Sequence, residues 1–380
     1  MTVQTEARPL SEALLARLPK APDRDGAPVA DAARELVGRY LRRAADLHAE
    51  SYASREDIDT AMRLGCGLPK GPLELLAQGT GVPLAPDATG DSAVDAPVRP
   101  VRRVGVVGSG TMARGIAEVV AAAGRTTHLV ARSAAKAEAA RDAVAGSLER
   151  RVRRGRLDAA ARDVVLANLR TEDGMSALAD CDLVVEAVAE EFPVKRAVFG
   201  ELDAVCAADT VLATTTSSLS VGQCAQVTGR PGDVIGLHFF NPAPLMALVE
   251  VVRTPDTSPT ALATGHAFCR DLGKTTVDCS DRTGFIVNYL LFPFLNDAIR
   301  MLEEGRAEAT DLDVAVEREY GHPMGPFTLL DVVGLDVSLA IQRSLHEAFG
   351  QAALAPAEML EHLVADGHLG RKSGSGFYRY

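Results

Sequence analysis

Val104-Gly-Val-Val-Gly108-Ser-Gly110-Thr111-Met112-Ala113-Arg-Gly115-Ile-Ala117 joins a Val-rich run to a glycine turn and then to a helix-forming stretch. Gly108 permits the tight turn, and Gly110 lets a ligand come up against the backbone. Ala113 takes the third place of the pattern, where a small residue allows the helix to pack on the strand. The apolar spacing predicts a helix over 112–123, stopped by Gly124, with a second strand beyond it. A glycine turn alone says little, but between a strand and a helix it marks a dinucleotide site. The pyrophosphate would rest on the unpaired N–H groups at the helix start, so Gly108, Gly110, Thr111 and Met112 are expected around it.

Outward from that turn, short β-branched runs alternate with helical stretches. Thr127–Val130, Leu183–Val188, Thr210–Ala213 and Val234–Leu237 join Val104–Val107 as strands. This alternation predicts βαβ units and a parallel, doubly wound α/β sheet of the Rossmann type. The end of the second strand bears on which dinucleotide binds. An NAD site places a carboxylate there for the ribose 2′-hydroxyl. This chain has Ala131-Arg132-Ser133 instead, and a guanidinium beside a hydroxyl suits a 2′-phosphate that a carboxylate would repel. NADP(H) is therefore favoured, with NAD(H) as the alternative.

Helical sequence flanks this core on both sides. Ala30–Ser51 is rich in Ala, Leu and Arg at helical spacing, and the chain is again mostly helical from Gly284 onward, with a Gly/Pro break at Gly321–Pro326. The two zones share a repeat. Asp57–Leu76 (DIDTAMRLGCGLPKGPLELL) aligns without a gap on Asp311–Leu330 (DLDVAVEREYGHPMGPFTLL), and nine of twenty positions are identical, among them Asp59/Asp313, Gly67/Gly321, Pro69/Pro323 and Gly71/Gly325. Helix caps readily produce D-x-D or G-P by chance, but rarely both at one offset. The organisation expected is a degenerate helical copy over 1–77, a Gly/Pro-rich linker over 78–100, the dinucleotide domain over 101–282 and a helical domain over 283–380.

Composition sets the outer bounds. A chain of 380 residues with 47% hydrophobic and 24% charged residues can bury a full core, which excludes disorder as its main state. The net charge of -11 argues against nucleic acid as a partner. Cysteines at 66, 181, 206, 224, 269 and 279 form no C-x-x-C pair and have no zinc spacing, so no metal is expected. Charged residues break up Met1–Lys20, and the apolar run Tyr289–Leu295 is too short to span a bilayer. The reading is a cytoplasmic protein with no membrane partner.

Further along, Gly236-Leu-His238-Phe-Phe-Asn241-Pro-Ala-Pro-Leu-Met-Ala-Leu-Val-Glu250 brings a histidine and a carboxylate to a strand end. Histidine is the side chain whose pKa suits proton exchange near neutrality, and a carboxylate on its far nitrogen fixes the tautomer. That run resembles the signature of the L-3-hydroxyacyl-CoA dehydrogenases, of the 3-hydroxybutyryl-CoA dehydrogenase kind. Val185-Glu186-Ala187-Val188-Ala189-Glu190, Thr215-Thr216-Ser217-Ser218-Leu219, Gly284-Phe-Ile-Val-Asn288 and Leu369-Gly-Arg-Lys-Ser-Gly-Ser-Gly-Phe-Tyr378 match the same family in the same order, over roughly residues 101–380.

The resemblance implies a Rossmann-type domain followed by an all-α domain of the 6-phosphogluconate-dehydrogenase kind. It also implies hydride transfer between NAD(P)(H) and C3 of a 3-hydroxyacyl or 3-ketoacyl thioester. It assigns His238 as acid/base, Glu250 as its partner, Ser217 and Asn288 as donors to the substrate oxygen and thioester, and Glu190 and Lys195 to the nicotinamide ribose. Such donors stabilise developing oxyanion charge. The family usually has Asn at Thr215, Gly at Ala113, an acid at Ala131 and Arg at Tyr289. These departures bear on the cofactor and the substrate fit, not on the reaction. Two alternatives are an NADPH-dependent ketoreductase of a polyketide or carrier-protein-bound β-keto substrate and an idle nucleotide-binding scaffold. A scaffold would need none of Ser217, His238, Glu250 and Asn288.

In the resembled family the helical domain makes the dimer interface, or packs on a second copy within a longer chain. The expectation here is a monomer whose first zone packs on residues 284–380, with a homodimer as the alternative. Val37-Gly38-Arg39-Tyr40-Leu41 is read against Val287-Asn288-Tyr289-Leu290, which sets Gly38 where the later copy has Asn288. Arg150, Arg151, Arg153, Arg154 and Arg156 are read as a solvated helix face or as receivers of coenzyme A phosphates.

Overall fold

A computed structural model of the chain describes residues 27–80 and 96–380. Residues 1–26 of the first expected domain and 81–95 of the expected linker lie outside the described residues. Two compact units divide the rest, one built from residues 27–80 and 286–380, the other from residues 96–285.

The first unit opens with helices α1 (Ala27–Ala49), α2 (Arg55–Cys66) and α3 (Pro72–Thr80). Residues 78–80, expected as linker, finish α3. Along α1, Ala33, Leu36, Val37, Tyr40, Ala44 and Leu47 are buried, a helical spacing that makes one apolar face. α2 starts at Ser54, whose side chain accepts from Asp57 N, and stops at Gly67 with φ of 69°. Asp59, buried on α2, caps the next helix: its Oδ1 accepts from Leu73 N at 2.7 Å and its Oδ2 from Glu74 N at 3.1 Å. A carboxylate there also meets the positive end of α3. Gly71 must lack a side chain, because a Cβ would collide with Asp59.

The second unit is one eight-stranded sheet: β1 (Arg103–Val107), β2 (Thr126–Val130), β3 (Leu169–Glu172), β4 (Leu183–Glu186), β5 (Val211–Thr214), β6 (Val234–Phe239), β7 (Leu248–Arg253) and β8 (Thr275–Ser280). Their spatial order is β3-β2-β1-β4-β5-β6-β7-β8. All neighbours run parallel except β6 and β7. The order reverses at β1, whose neighbours are β2 and β4, and the crevice of a doubly wound sheet opens outside the carboxyl ends at that point. Helices α4 (Thr111–Ala122), α5 (Ala134–Arg153), α6 (Ala159–Asn168), α7 (Phe192–Val205), α8 (Val221–Ala225) and α9 (Pro259–Asp271) connect the strands. Val104, Val106, Leu183, Val185, Ile235 and Leu237 meet Ile116 and Val120 of α4 in the core. β3, β7 and β8 go beyond the strands that β-branched runs mark; β3 is four residues of Leu-Arg-Thr-Glu.

The first unit resumes with α10 (Val287–Glu303), α11 (Ala309–Tyr320), α12 (Pro326–Val333), α13 (Leu335–Phe349) and α14 (Glu358–Ala365). α10 is buried nearly all round, since α1 and α2 pack on it as well as α12, α13 and α14. The capping device of α2 and α3 recurs: Asp313 accepts from Phe327 N at 2.8 Å and Thr328 N at 2.9 Å, and a Cβ on Gly325 would collide with it. Gly321 ends α11 with φ of 71°, as Gly67 ends α2. At an offset of 254 residues, the separation of Arg43 from Asp297, α2 and α11 correspond end for end, α3 and α12 start together, and α1 and α10 end together. This offset corrects one reading: it places Arg34, not Gly38, at the register of Asn288.

No disulfide joins the six cysteines. Among the described residues no helix is long and apolar enough to cross a membrane, and no group of three or more His, Cys, Asp and Glu side chains could hold a metal ion.

Candidate active site

β6 ends at the carboxyl edge of the sheet, and β7 runs beside it with Glu250 directly opposite His238. Opposed residues of an antiparallel pair share a face, and His238 Nδ1 lies 2.6 Å from Glu250 Oε2. Glu250 is fully buried and His238 is 6% exposed. A carboxylate removed from water needs a hydrogen-bond donor, and the ring provides it. With Glu250 accepting at Nδ1, the ring proton is assigned to Nδ1, and Nε2 becomes the site of proton exchange. That nitrogen makes no hydrogen bond to another described residue.

Two aromatic rings wall the histidine, Phe240 at 4.6 Å and Phe285 at 5.3 Å between ring centroids. Phe285 has φ of 47°, in the left-handed region that bulky side chains seldom adopt. Such a backbone costs about 1–3 kcal/mol and persists where the surroundings enforce it. Sequence reasoning singled out neither ring, although both stand inside the quoted motifs.

A second cluster lies at the ends of β4 and β5. Glu186, the last residue of β4, accepts from Val188 N at 2.7 Å and Thr214 Oγ1 at 2.7 Å. Lys195 Nζ donates to both of its carboxylate oxygens, at 2.8 and 2.9 Å. The same ammonium stands 3.3 Å from Glu190. Glu190 gathers the loop after β5, accepting from Thr216 Oγ1 at 2.6 Å, Ser217 N at 2.8 Å and Ser218 N at 3.0 Å. Burial opposes the Glu190 charge, but the Lys195 ammonium and these hydrogen bonds outweigh it and hold the carboxyl below its ordinary range. Thr214 pairs with Gly236, so the loop that carries Ser217 leaves the sheet beside the strand end that carries His238. The Ser217 hydroxyl makes no hydrogen bond to another described residue.

Lys195 is expected, from the resemblance, near the nicotinamide ribose. The side chain is 1% exposed and its ammonium is taken up by Glu186 and Glu190, which leaves it nothing to offer a ribose directly. Glu186, Thr214 and Thr216 were not among the expected site residues. Their signal is a carboxylate closing an all-apolar strand, which demands a buried cation.

The glycine turn fits a dinucleotide. Gly108 N donates to Val130 O at 2.8 Å, tying the turn to the end of β2. Gly108 has φ of 137°, and a Cβ there would collide with the Ala187 carbonyl. Gly110 differs: it is extended, and a Cβ on it would meet nothing within 4 Å. The protein's own packing does not demand that glycine, whereas a phosphate lying against the backbone would. α4 begins at Thr111, with Met112 next, and no side chain caps it. Its first-turn N–H groups therefore face outward as an anion site. Ala113 is buried in the core. After β2, Ala131 is half-buried and Arg132 and Ser133 are exposed. Ser133 Oγ accepts from Lys136 N at 3.3 Å, capping α5.

Asn288 is in the helical unit, 7% exposed on the first turn of α10, and its amide makes no hydrogen bond to another described residue. Among the arginines of α5 and its C-terminal end, Arg151 pairs with Glu118 at 2.8 Å. Arg150, with Arg114, Ser147 and Asn241, edges a cavity of about 440 Å³ beside the first turn of α4.

Comparisons with known proteins agree with this layout. The family model described as 3-hydroxyacyl-CoA dehydrogenase, NAD binding domain, matches residues 103–282. The model of the same family's C-terminal domain matches residues 32–166 and 284–380. The chain is 45% identical over 282 residues to a 3-hydroxybutyryl-CoA dehydrogenase of Mycobacterium tuberculosis, covering 74% of this chain and 99% of that one. It is 42% identical to the mitochondrial hydroxyacyl-coenzyme A dehydrogenase of Rattus norvegicus, covering 74% and 91%. The crystal structure of (S)-3-hydroxybutyryl-CoA dehydrogenase from Ralstonia eutropha matches with a TM-score of 0.71 at 37% identity, covering 74% of this chain and 99% of that one.

Proposed function

The chain belongs to the 3-hydroxyacyl-CoA dehydrogenase family, and from that premise we propose that it interconverts 3-hydroxyacyl-CoA and 3-ketoacyl-CoA thioesters with a nicotinamide dinucleotide. One observation carries the reading: the buried His238–Glu250 pair, 2.6 Å apart, with Nε2 unengaged at the carboxyl edge of the sheet. A dinucleotide held at the glycine turn would supply the hydride acceptor or donor for C3 of the thioester.

The residues of the chain manage the proton. In oxidation His238 Nε2 takes the proton of the 3-hydroxyl, and in reduction it gives one to the 3-oxygen. Glu250 keeps the ring in the working tautomer and stabilises the imidazolium. The Ser217 hydroxyl is free to donate to the substrate oxygen, and the Glu190 carboxylate fixes the backbone on either side of it. Asn288 is assigned to the thioester from the family resemblance and from its buried, unengaged amide.

Gly108, Gly110, Thr111 and Met112 would hold the pyrophosphate. The family's domain is an NAD-binding one. Our finer reading is a preference for NADP(H), supported by the missing carboxylate at Ala131, the exposed Arg132, and Ser133 at the positive end of α5. Residues 27–80 take the place of a second subunit, so the chain works as a monomer. Arg150 stands ready for a phosphate of coenzyme A.

The test is absorbance at the nicotinamide band with acetoacetyl-CoA, using NADPH and NADH in parallel. We expect turnover faster with NADPH, and kcat lower by about 10²–10⁴-fold in His238→Ala and Glu250→Gln. Turnover unchanged in both variants overturns the assignment of the pair. Dinucleotide binding without any turnover overturns the substrate.

A further inference from the structure

In a two-fold interface each surface point meets the equivalent of its partner, and residues on the axis meet their own counterparts. The two halves of the helical unit correspond at an offset of 254 residues. Two pairs at that offset touch: the Tyr40 and Phe294 rings are 5.6 Å apart, and Arg43 donates to Asp297 at 2.7 Å. A reciprocal pair flanks them. A Cβ placed on Gly67 would lie 3.5 Å from Pro323, and one placed on Gly321 would lie 3.1 Å from Pro69. Gly67 corresponds to Gly321 and Pro69 to Pro323, so the seam has two-fold geometry inside one chain.

Its chemistry is not two-fold. On the axis a cation faces an anion, and Asp297 is buried. Arg39 adds a second guanidinium 3.6 Å from Asp297, where the counterpart of Arg39 is Pro293. Glu35 accepts from Arg306, whereas their counterparts are Tyr289 and Tyr52. Two identical later halves meeting in the same way would set Asp297 against Asp297, two like charges removed from water.

We propose that the axial pair Arg43–Asp297 makes this face specific for the chain's own first segment and rejects a second copy of residues 286–380. The face is an interaction surface whose shape is self-complementary and whose charge is not. The proposal rests on the internal pairing read above and is independent of the chemistry at His238.

The test uses the full chain. Arg43→Asp recreates the Asp-against-Asp axis of two identical halves, Asp297→Arg creates its cationic equivalent, and the double exchange restores opposite charges in reversed order. Thermal unfolding is expected to show a Tm lower by about 5 °C or more in each single variant, with at least half of the loss recovered in the double one. The neutral series Arg43→Gln, Asp297→Asn and their combination gives the same comparison if a reversed-charge chain fails to fold. A double variant no more stable than the additive singles, in whichever series folds, overturns the proposal. A wild-type chain that dimerises through residues 286–380, read by light scattering after size exclusion, overturns it as well, whereas a wild type without acetoacetyl-CoA turnover counts against the proposed function alone.

Discussion

Lys195 Nζ and the Glu186 carboxylate form a two-pronged contact at 2.8 and 2.9 Å in which neither residue is more than 1% exposed. Thr214 and Val188 complete the hydrogen bonding of that carboxylate. Removing one member of such a pair leaves a charge without water and without a partner, which costs about 3–5 kcal/mol. Lys195→Met is therefore expected to lower unfolding stability by that amount. It should also raise KM for the dinucleotide, since Glu190 loses the cation that holds it ionised. Urea unfolding and steady-state kinetics on the same preparation check both, and a stability within 1 kcal/mol of wild type, on the scale of an exposed pair, would show the pair to be dispensable.

The sheet was readable in outline because parallel strands buried on both faces write themselves as β-branched runs, as Val104–Val107 and Val234–Leu237 do. β3 escaped because Leu169–Glu172 is a short edge strand with one fully buried residue. The His238–Glu250 pair was legible as two chemical types in a known motif, and the antiparallel register supplied the distance. The burial of Lys195 was not legible, because a lysine in sequence carries no sign of it; the pairing with Glu186 at the end of β4 supplies it. The rings of Phe240 and Phe285 depend on tertiary packing and a left-handed backbone, neither of which leaves a periodic trace.

His322 packs 5.5 Å from the Phe294 ring, and burial pushes its pKa down from 6.5 to about 4. Tyr40 and Cys66 line the same small cavity. The unfolded chain then takes up a proton at a higher pH than the folded one. Stability is unaffected above about pH 6.5 and falls progressively as pH drops toward 4, by on the order of 3 kcal/mol if the residue stays buried. The counterpart of His322 in the first half is Leu68. His322→Leu is thus expected to flatten the acid limb of a Tm-against-pH curve between 6.5 and 4, and superimposable limbs would refute the account.

Gly108 and Gly110 separate what the fold requires from what the ligand requires. At Gly108, φ of 137° and the Ala187 carbonyl both exclude a side chain, so Gly108→Ala is expected to destabilise the sheet unit by about 1–3 kcal/mol or more and to lower Tm. At Gly110 the backbone is extended and the space beyond it is open. Gly110→Ala should melt within about 2 °C of wild type, because exposed substitutions away from special backbone conformations change stability by about 0.5 kcal/mol or less. Its methyl group would nevertheless stand where the pyrophosphate approaches the start of α4. Fluorescence titration with NADPH and NADH is expected to show Kd raised about tenfold or more for both, a cost of about 1.4 kcal/mol. Equal weakening of the two coenzymes assigns the effect to the shared pyrophosphate. Weakening of NADPH alone would move Gly110 to the 2′-phosphate side of the site, and unchanged affinity for both would remove it from the dinucleotide altogether.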